Sequence, residues 1–154
     1  MSRKKCKRKV YQLADPIQMA IMGACVASKK PLDTLRLAEL SALDAMTKGM
    51  GTKEDWRWLA DYLNIAETMC MMGIGKDEVM PYCELAQKAL LEAAQRYEKT
   101  GRMGLSGEGI KALKELHSYH DIQRTSVARS VYEEAIKKTA NRIRSKAKEV
   151  VEIV

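Results

Sequence analysis

The chain has 154 residues, a formal net charge of +7, and a composition that is 46% hydrophobic but only 5% aromatic, with no Phe and ten Met. A chain of this length fits one domain that buries roughly 70% of the surface its unfolded form would expose, and the core must be aliphatic and thioether-rich, which suits helices. Cys6, Cys25, Cys70 and Cys83 fall 19, 45 and 13 residues apart, with no C-x-x-C pair and no Cys/His cluster of zinc-ligand spacing. The expectation is reduced thiols in a cytoplasmic protein. No stretch has a signal-peptide pattern, and no apolar run approaches the ~20 residues that span a bilayer.

Residues 1–9, MSRKKCKRK, carry six positive charges, on Arg3, Lys4, Lys5, Lys7, Arg8 and Lys9, and no negative one; they read as a basic flexible arm. Asp15 as N-cap with Pro16 at the first helical position opens a helix in PIQMAIMGACVAS, which is apolar on most sides. After KKP, the segment LDTLRLAELSALDAMTKG reads as a second helix closed by Lys48 and Gly49. Thr52 and Asp55 form a capping-box pattern at the start of the third helix. There Trp56, Leu59, Leu63, Ala66 and Cys70 make one apolar stripe and Trp58, Tyr62, Ile65, Met69 and Met72 a second, with Arg57, Asp61, Asn64 and Thr68 as a polar edge.

GIGKD separates this helix from a fourth, in which Cys83, Ala86, Leu90, Ala93 and Tyr97 repeat at helical spacing and Pro81 is expected in the first turn. KTGRMGLSGEG is a turn segment, with Ser106 as the N-cap of the next helix. From Ile110 onward there is no Gly or Pro, so the last 45 residues form either one helix of about 65 Å or two with a break near Arg124 to Ser126. Residues 137–154 carry Lys137, Lys138, Arg142, Arg144, Lys146 and Lys148 against Glu149 and Glu152. The expected fold is therefore all-α: a compact bundle of five or six helices without a sheet, with a basic arm at 1–9, a helical domain at 10–136 and a long, protruding basic helical tail at 137–154. Trp56, Leu59, Leu63, Leu90 and Leu113 are expected in its core.

Between the ends, residues 10–136 hold 15 basic and 18 acidic side chains, so the basicity belongs to the termini. Terminal basic segments fit contact with phosphates, and equally a solubilising role. Apart from Tyr11 no aromatic is interleaved with these charges, as a stacking platform would require. The two histidines lie in ELHSYHDIQR, where His117, His120 and Arg124 form a polar notch on an arc shared with Leu113, Leu116, Val127 and Val131. H-E-x-x-H spacing is absent. The notch reads as interhelical hydrogen bonding, with His120 the structural histidine, Glu67 its favoured partner and Asp121 pointing off the arc. Neither a phosphate-binding G-x-x-x-x-G-K-[ST] loop nor a G-x-S-x-G elbow occurs, and GIGKD and GMGT read as helix C-caps. No catalytic residue, metal or cofactor is expected.

KRKVYQLADPI, LDAMTKGMGTKEDWRWLADYLNIAETMCMMGIG, TGRMGLSGEGIKAL and HDIQ followed by YEEAI resemble a family of small basic proteins encoded by phages and prophages of proteobacteria. The likeness runs from about Lys7 to Ile136 and aligns Asn64 and Glu67 with an L-N-x-A-E motif, and His120, Asp121 and Gln123 with H-D-x-Q. His117 and the basic C-terminal segment depart from that pattern. The family has no assigned activity, so the resemblance implies a setting: the cytoplasm of an infected or lysogenic bacterial host. It implies a non-enzymatic protein that blocks or redirects a host protein or nucleoprotein complex, an anti-CRISPR-like inhibitor being the sharpest version. The alternative is an accessory nucleic-acid-binding protein of phage replication or transcription. No membrane contact is expected, and homo-oligomerisation is compatible with the tail.

Overall fold

The structure, a computed structural model, describes residues 10–11, 31–145 and 150–151. It is an all-α bundle, with five helices among these residues: α1 (Pro31–Thr47), α2 (Lys53–Met71), α3 (Lys76–Thr100), α4 (Gly107–Thr125) and α5 (Arg129–Ser145). Two-residue strands β1 (Val10–Tyr11) and β2 (Val150–Val151) pair in parallel, Val10 with Val150 and Tyr11 with Val151. This small ladder is the one departure from the expectation of no sheet. The helix expected at 16–28, the arm at 1–9, Lys146 and Lys148 lie outside the described residues.

Helix α2 is the axis. Its capping box is formed, Thr52 accepting from the Asp55 amide while Asp55 accepts from the Thr52 amide at 2.8 Å, so two amides at the helix start are satisfied. Both apolar stripes are used: Trp56, Leu59, Leu63, Leu90 and Leu113 are fully buried in the main core, as expected. A second cluster joins Leu35, Ile65 and Met69 to Tyr132, Ala135, Ile136 and Ile143 of α5. The expected polar edge of α2 is not solvated. Asp61, Asn64 and Thr68 are buried, and α5 covers the last two, Thr139 Oγ1 donating to Thr68 Oγ1 at 2.7 Å and Arg142 donating to the Asn64 carbonyl at 3.1 Å.

The last 45 residues do break: α4 ends at Thr125, Ser126 caps it through the Ile122 carbonyl, and α5 restarts at Arg129. Val127 and Val131 therefore leave the arc of the histidines, and the boundary expected at 136 falls inside α5, whose Thr139 and Ile143 are buried. Residues 137–145 belong to the bundle, not to a tail. Pro81 is the sixth residue of α3, in its second turn, so the Asp77 carbonyl loses an intrahelical donor; both residues are exposed there. The two glycine loops meet at one end: the Gly51 amide donates to Met103 at 3.1 Å, and the Leu105 amide donates to Met46, also at 3.1 Å. A Cβ on Gly104 would stand 2.9 Å from the Gly49 Cα, so the approach depends on the missing side chain. Ser106 caps α4 by accepting from the Gly109 amide.

Candidate functional site

The polar notch is real, and most of its partners come from α1. On α1, Leu35, Ala42, Leu43 and Met46 form the buried face, and Glu39 falls within it, fully buried. Helical spacing on α4 aims His117, His120, Asp121 and Arg124 toward that face. Arg124 grips Glu39 with both terminal nitrogens, Nη2 to Oε1 at 2.8 Å and Nη1 to Oε2 at 3.0 Å. His117 Nε2 donates to Glu39 Oε1 at 3.0 Å. At the rim Asp121 accepts from Arg124 Nε at 2.9 Å and from Arg36 Nε and Nη2 at 2.8 and 3.0 Å. Two guanidinium groups thus meet two carboxylates in one network between α1 and α4, with exposed Asp33 accepting from Arg36 Nη1 at 3.3 Å at its edge.

His120 sits deeper, stacked at 6.4 Å on Tyr62 and 6.1 Å from Tyr132. Gln123 donates through Nε2 to the Ile74 carbonyl at 2.9 Å, so its Oε1 accepts from His120 Nδ1 at 3.1 Å, which fixes the Nδ1–H tautomer. The opposite nitrogen, Nε2, is buried without a hydrogen-bond partner among the described residues. Burial, assisted by the Arg124 charge, lowers the His120 pKa to about 4, so the ring is neutral. For Glu39 burial pulls upward, but the hydrogen bonds from His117 and Arg124 together outweigh it and hold the carboxyl below its ordinary value. Burial likewise pushes the Tyr132 phenol up to about 12 and raises Tyr62.

These groups are held in the states that serve bonding: carboxylates ionised and saturated with donors, His120 neutral. Chemically the arrangement is a lock between two helices, and it presents no nucleophile with an adjacent base. Among the described residues no group of three or more His, Cys, Asp or Glu side chains is placed to hold a metal ion.

Three assignments change. Glu67 is not the partner of His120; its Oε1 lies 4.0 Å from Arg142 Nη1, on the α5 side of α2. His117 is structural as well as His120, and Asp121 belongs to the network. Sequence reasoning misses Glu39 and Arg36, although an acidic residue inside the apolar stripe of α1 is the signal for the first of them. Of the basic residues, Lys137, Lys138 and Arg144 are exposed on α5, and Lys138 pairs with Glu134 at 3.3 Å. Arg142 is instead docked on α2, its side chain 12% exposed. Arg3, Lys4, Lys5, Lys7, Arg8, Lys9, Lys146 and Lys148 lie outside the described residues. No helix among the described residues is long and apolar enough to cross a membrane. No family model, no curated protein and no solved structure matches the chain.

Proposed function

We propose that the chain is a phage-type, non-enzymatic binding protein that blocks or redirects host machinery by stoichiometric protein contact in the host cytoplasm, with inhibition of a defence nucleoprotein as its specific form. The supporting observation is a division between inside and outside. Inside, Glu39, His117, Asp121 and Arg124 are consumed in pairing α1 to α4. Outside, large apolar side chains stand in solvent, among them Leu37 of α1, Leu85 of α3 and Ile122 of α4 at 68%, 54% and 63% exposure. Apolar side chains on preorganised helices lose little entropy on binding and suit recognition by contact. Affinity capture from host lysate is the test, with and without nuclease. A discrete protein retained in stoichiometric amount after nuclease is the expected result; loss of all captured protein on nuclease treatment would reject the reading.

One observation favours a second reading, nucleic-acid contact through the termini. The β1–β2 pairing ties together points in the chain within two residues of the ends of the two basic segments, 1–9 and 137–148. If both engage phosphates, deleting residues 1–9 removes six charges and flattens the slope of log affinity against log salt on duplex by about five.

A further inference from the structure

The outer seam between α3 and α4 is a groove of about 390 Å³ with a floor of small side chains. The helices approach closely at Ala89 and Gly109, where a Cβ on the glycine would stand 3.0 Å from the Ala89 Cβ. Ala112 and the half-exposed Leu85 continue the floor. One turn beyond Glu115, Tyr82 and Tyr119 stack across the seam with ring centroids 4.7 Å apart, and Ile122 extends the same face of α4 in solvent. From Glu108 to Ile122 the apolar track is about 21 Å long.

Its rim carries a small acidic excess, three carboxylates against two ammonium groups, in a chain that is basic overall. Glu92, Glu108 and Glu115 line the groove beside Lys88 and Lys111, and Glu78 lies one turn before Tyr82 on the same face of α3. None of these carboxylates is engaged in an ion pair among the described residues, whereas Asp121, Glu39 and Glu134 are. Both walls are helices whose backbone groups along the groove bond within the helix, apart from the Asp77 carbonyl freed by Pro81, so the groove offers no edge for a strand to extend. A helix, which satisfies its own backbone, is the element that fits a straight apolar track of this length. β1 and α1 both pack on α2, at the inner side of the α3–α4 pair. The groove opens outward.

The geometry points to the α3–α4 groove as the docking site for one amphipathic helix of a partner protein, about four turns long, whose apolar face carries flanking Lys or Arg. This rests on the reading of the chain as a protein-binding protein and names the surface and the kind of segment it takes.

Isotope-labelled full chain is titrated with an 18-residue Leu/Lys amphipathic helix, its Leu/Glu counterpart, and a Leu/Lys peptide of the same composition in scrambled order. The Leu/Lys helix is expected to shift the Leu85 and Ile122 methyls and the Tyr82 and Tyr119 rings, with the other two at least about tenfold weaker. Leu85→Glu, a change at an exposed site whose fold is checked by far-UV circular dichroism, should weaken the helix by about tenfold or more. Glu115→Gln should weaken it less and flatten its salt dependence. Equal binding of all three peptides, or shifts confined to other faces, would overturn the assignment. So would self-association abolished by Leu85→Glu, which gives the groove to a second copy, or peptide binding that appears only after deletion of residues 1–9, which gives it to the chain's own basic segment. Host-protein capture that survives nuclease and is untouched by Leu85→Glu would keep the proposed function and reject the groove; nuclease-sensitive capture would reject the function while the peptide titration still decides the groove.

Discussion

Glu39 carries the heaviest consequence of any single side chain in the lock. It and Arg124 are both fully buried in their side chains, so removing either leaves a charge in the interior that the remaining partner cannot balance. Glu39→Ala is expected to cost about 3–5 kcal/mol in urea unfolding, whereas an apolar pair of similar volume, Glu39→Leu with Arg124→Met, should recover most of that loss. Arg36→Ala, at the 31%-exposed rim, should cost less than about 1 kcal/mol. His120 sets a pH signature of its own. Its folded pKa of about 4 lies below the ordinary 6.5, so the unfolded chain binds more protons between these values and stability falls as pH drops through that window. The loss amounts to up to about 3 kcal/mol and should shrink in His120→Gln, read as the urea midpoint at pH 7 and pH 4.5. Glu39 and Asp121, both held below their ordinary values, add a further loss only at lower pH.

At the scale of the elements, the starts of α2 and α4 rest on local devices that can be removed alone. Thr52→Ala deletes the side-chain half of the α2 capping box and should cost about 1 kcal/mol, as should Ser106→Ala at α4. Gly104→Ala is different in kind, because its Cβ meets backbone at Gly49 and the two loops must separate to admit it. A loss of about 1–3 kcal/mol is expected in thermal or urea unfolding, larger than at exposed Gly107, where a Cβ would meet nothing. The start of α5 shows how little a break needs. With no Gly or Pro at hand, Ser126 accepts the role of C-cap, and the apolar face of α5 supplies the reason to fold back onto α2.

For the molecule as a whole, the basic C-terminal stretch divides by burial into two kinds of residue. Arg142 reaches into α2, so Arg142→Ala should lower stability by about 1–3 kcal/mol through its bond to the Asn64 carbonyl, while leaving any salt dependence of nucleic-acid binding nearly unchanged. Lys137 and Arg144 are exposed, and their replacement by Ala should do the reverse: unfolding within about 0.5 kcal/mol of the parent, and a salt slope on duplex reduced by up to about one per charge if the termini engage phosphates.

Local order was written in the sequence itself. Periodicity and caps define α1 to α3, the start of α4, the residues of the main core and the presence of a polar notch at His117, His120 and Arg124, since each depends on neighbours within about four residues along one helix, whereas the sequence leaves one helix or two open after Ile110 and the packing of α5 on α2 decides for two. Which charge enters the notch was decided by packing. Glu67 and Glu39 both border apolar stripes, and only the approach of α1 to α4, and of α5 to α2, sends Glu39 to Arg124 and Glu67 toward Arg142. The same holds for Asn64 and Thr68: an edge polar enough to face water on α2 alone is buried once α5 brings Thr139 and Arg142 to bond with it. Hydrophobic period reports how much of a helix is apolar, whereas the pairing of its polar positions depends on which helix arrives from a distant part of the chain, and that is a property of the tertiary fold.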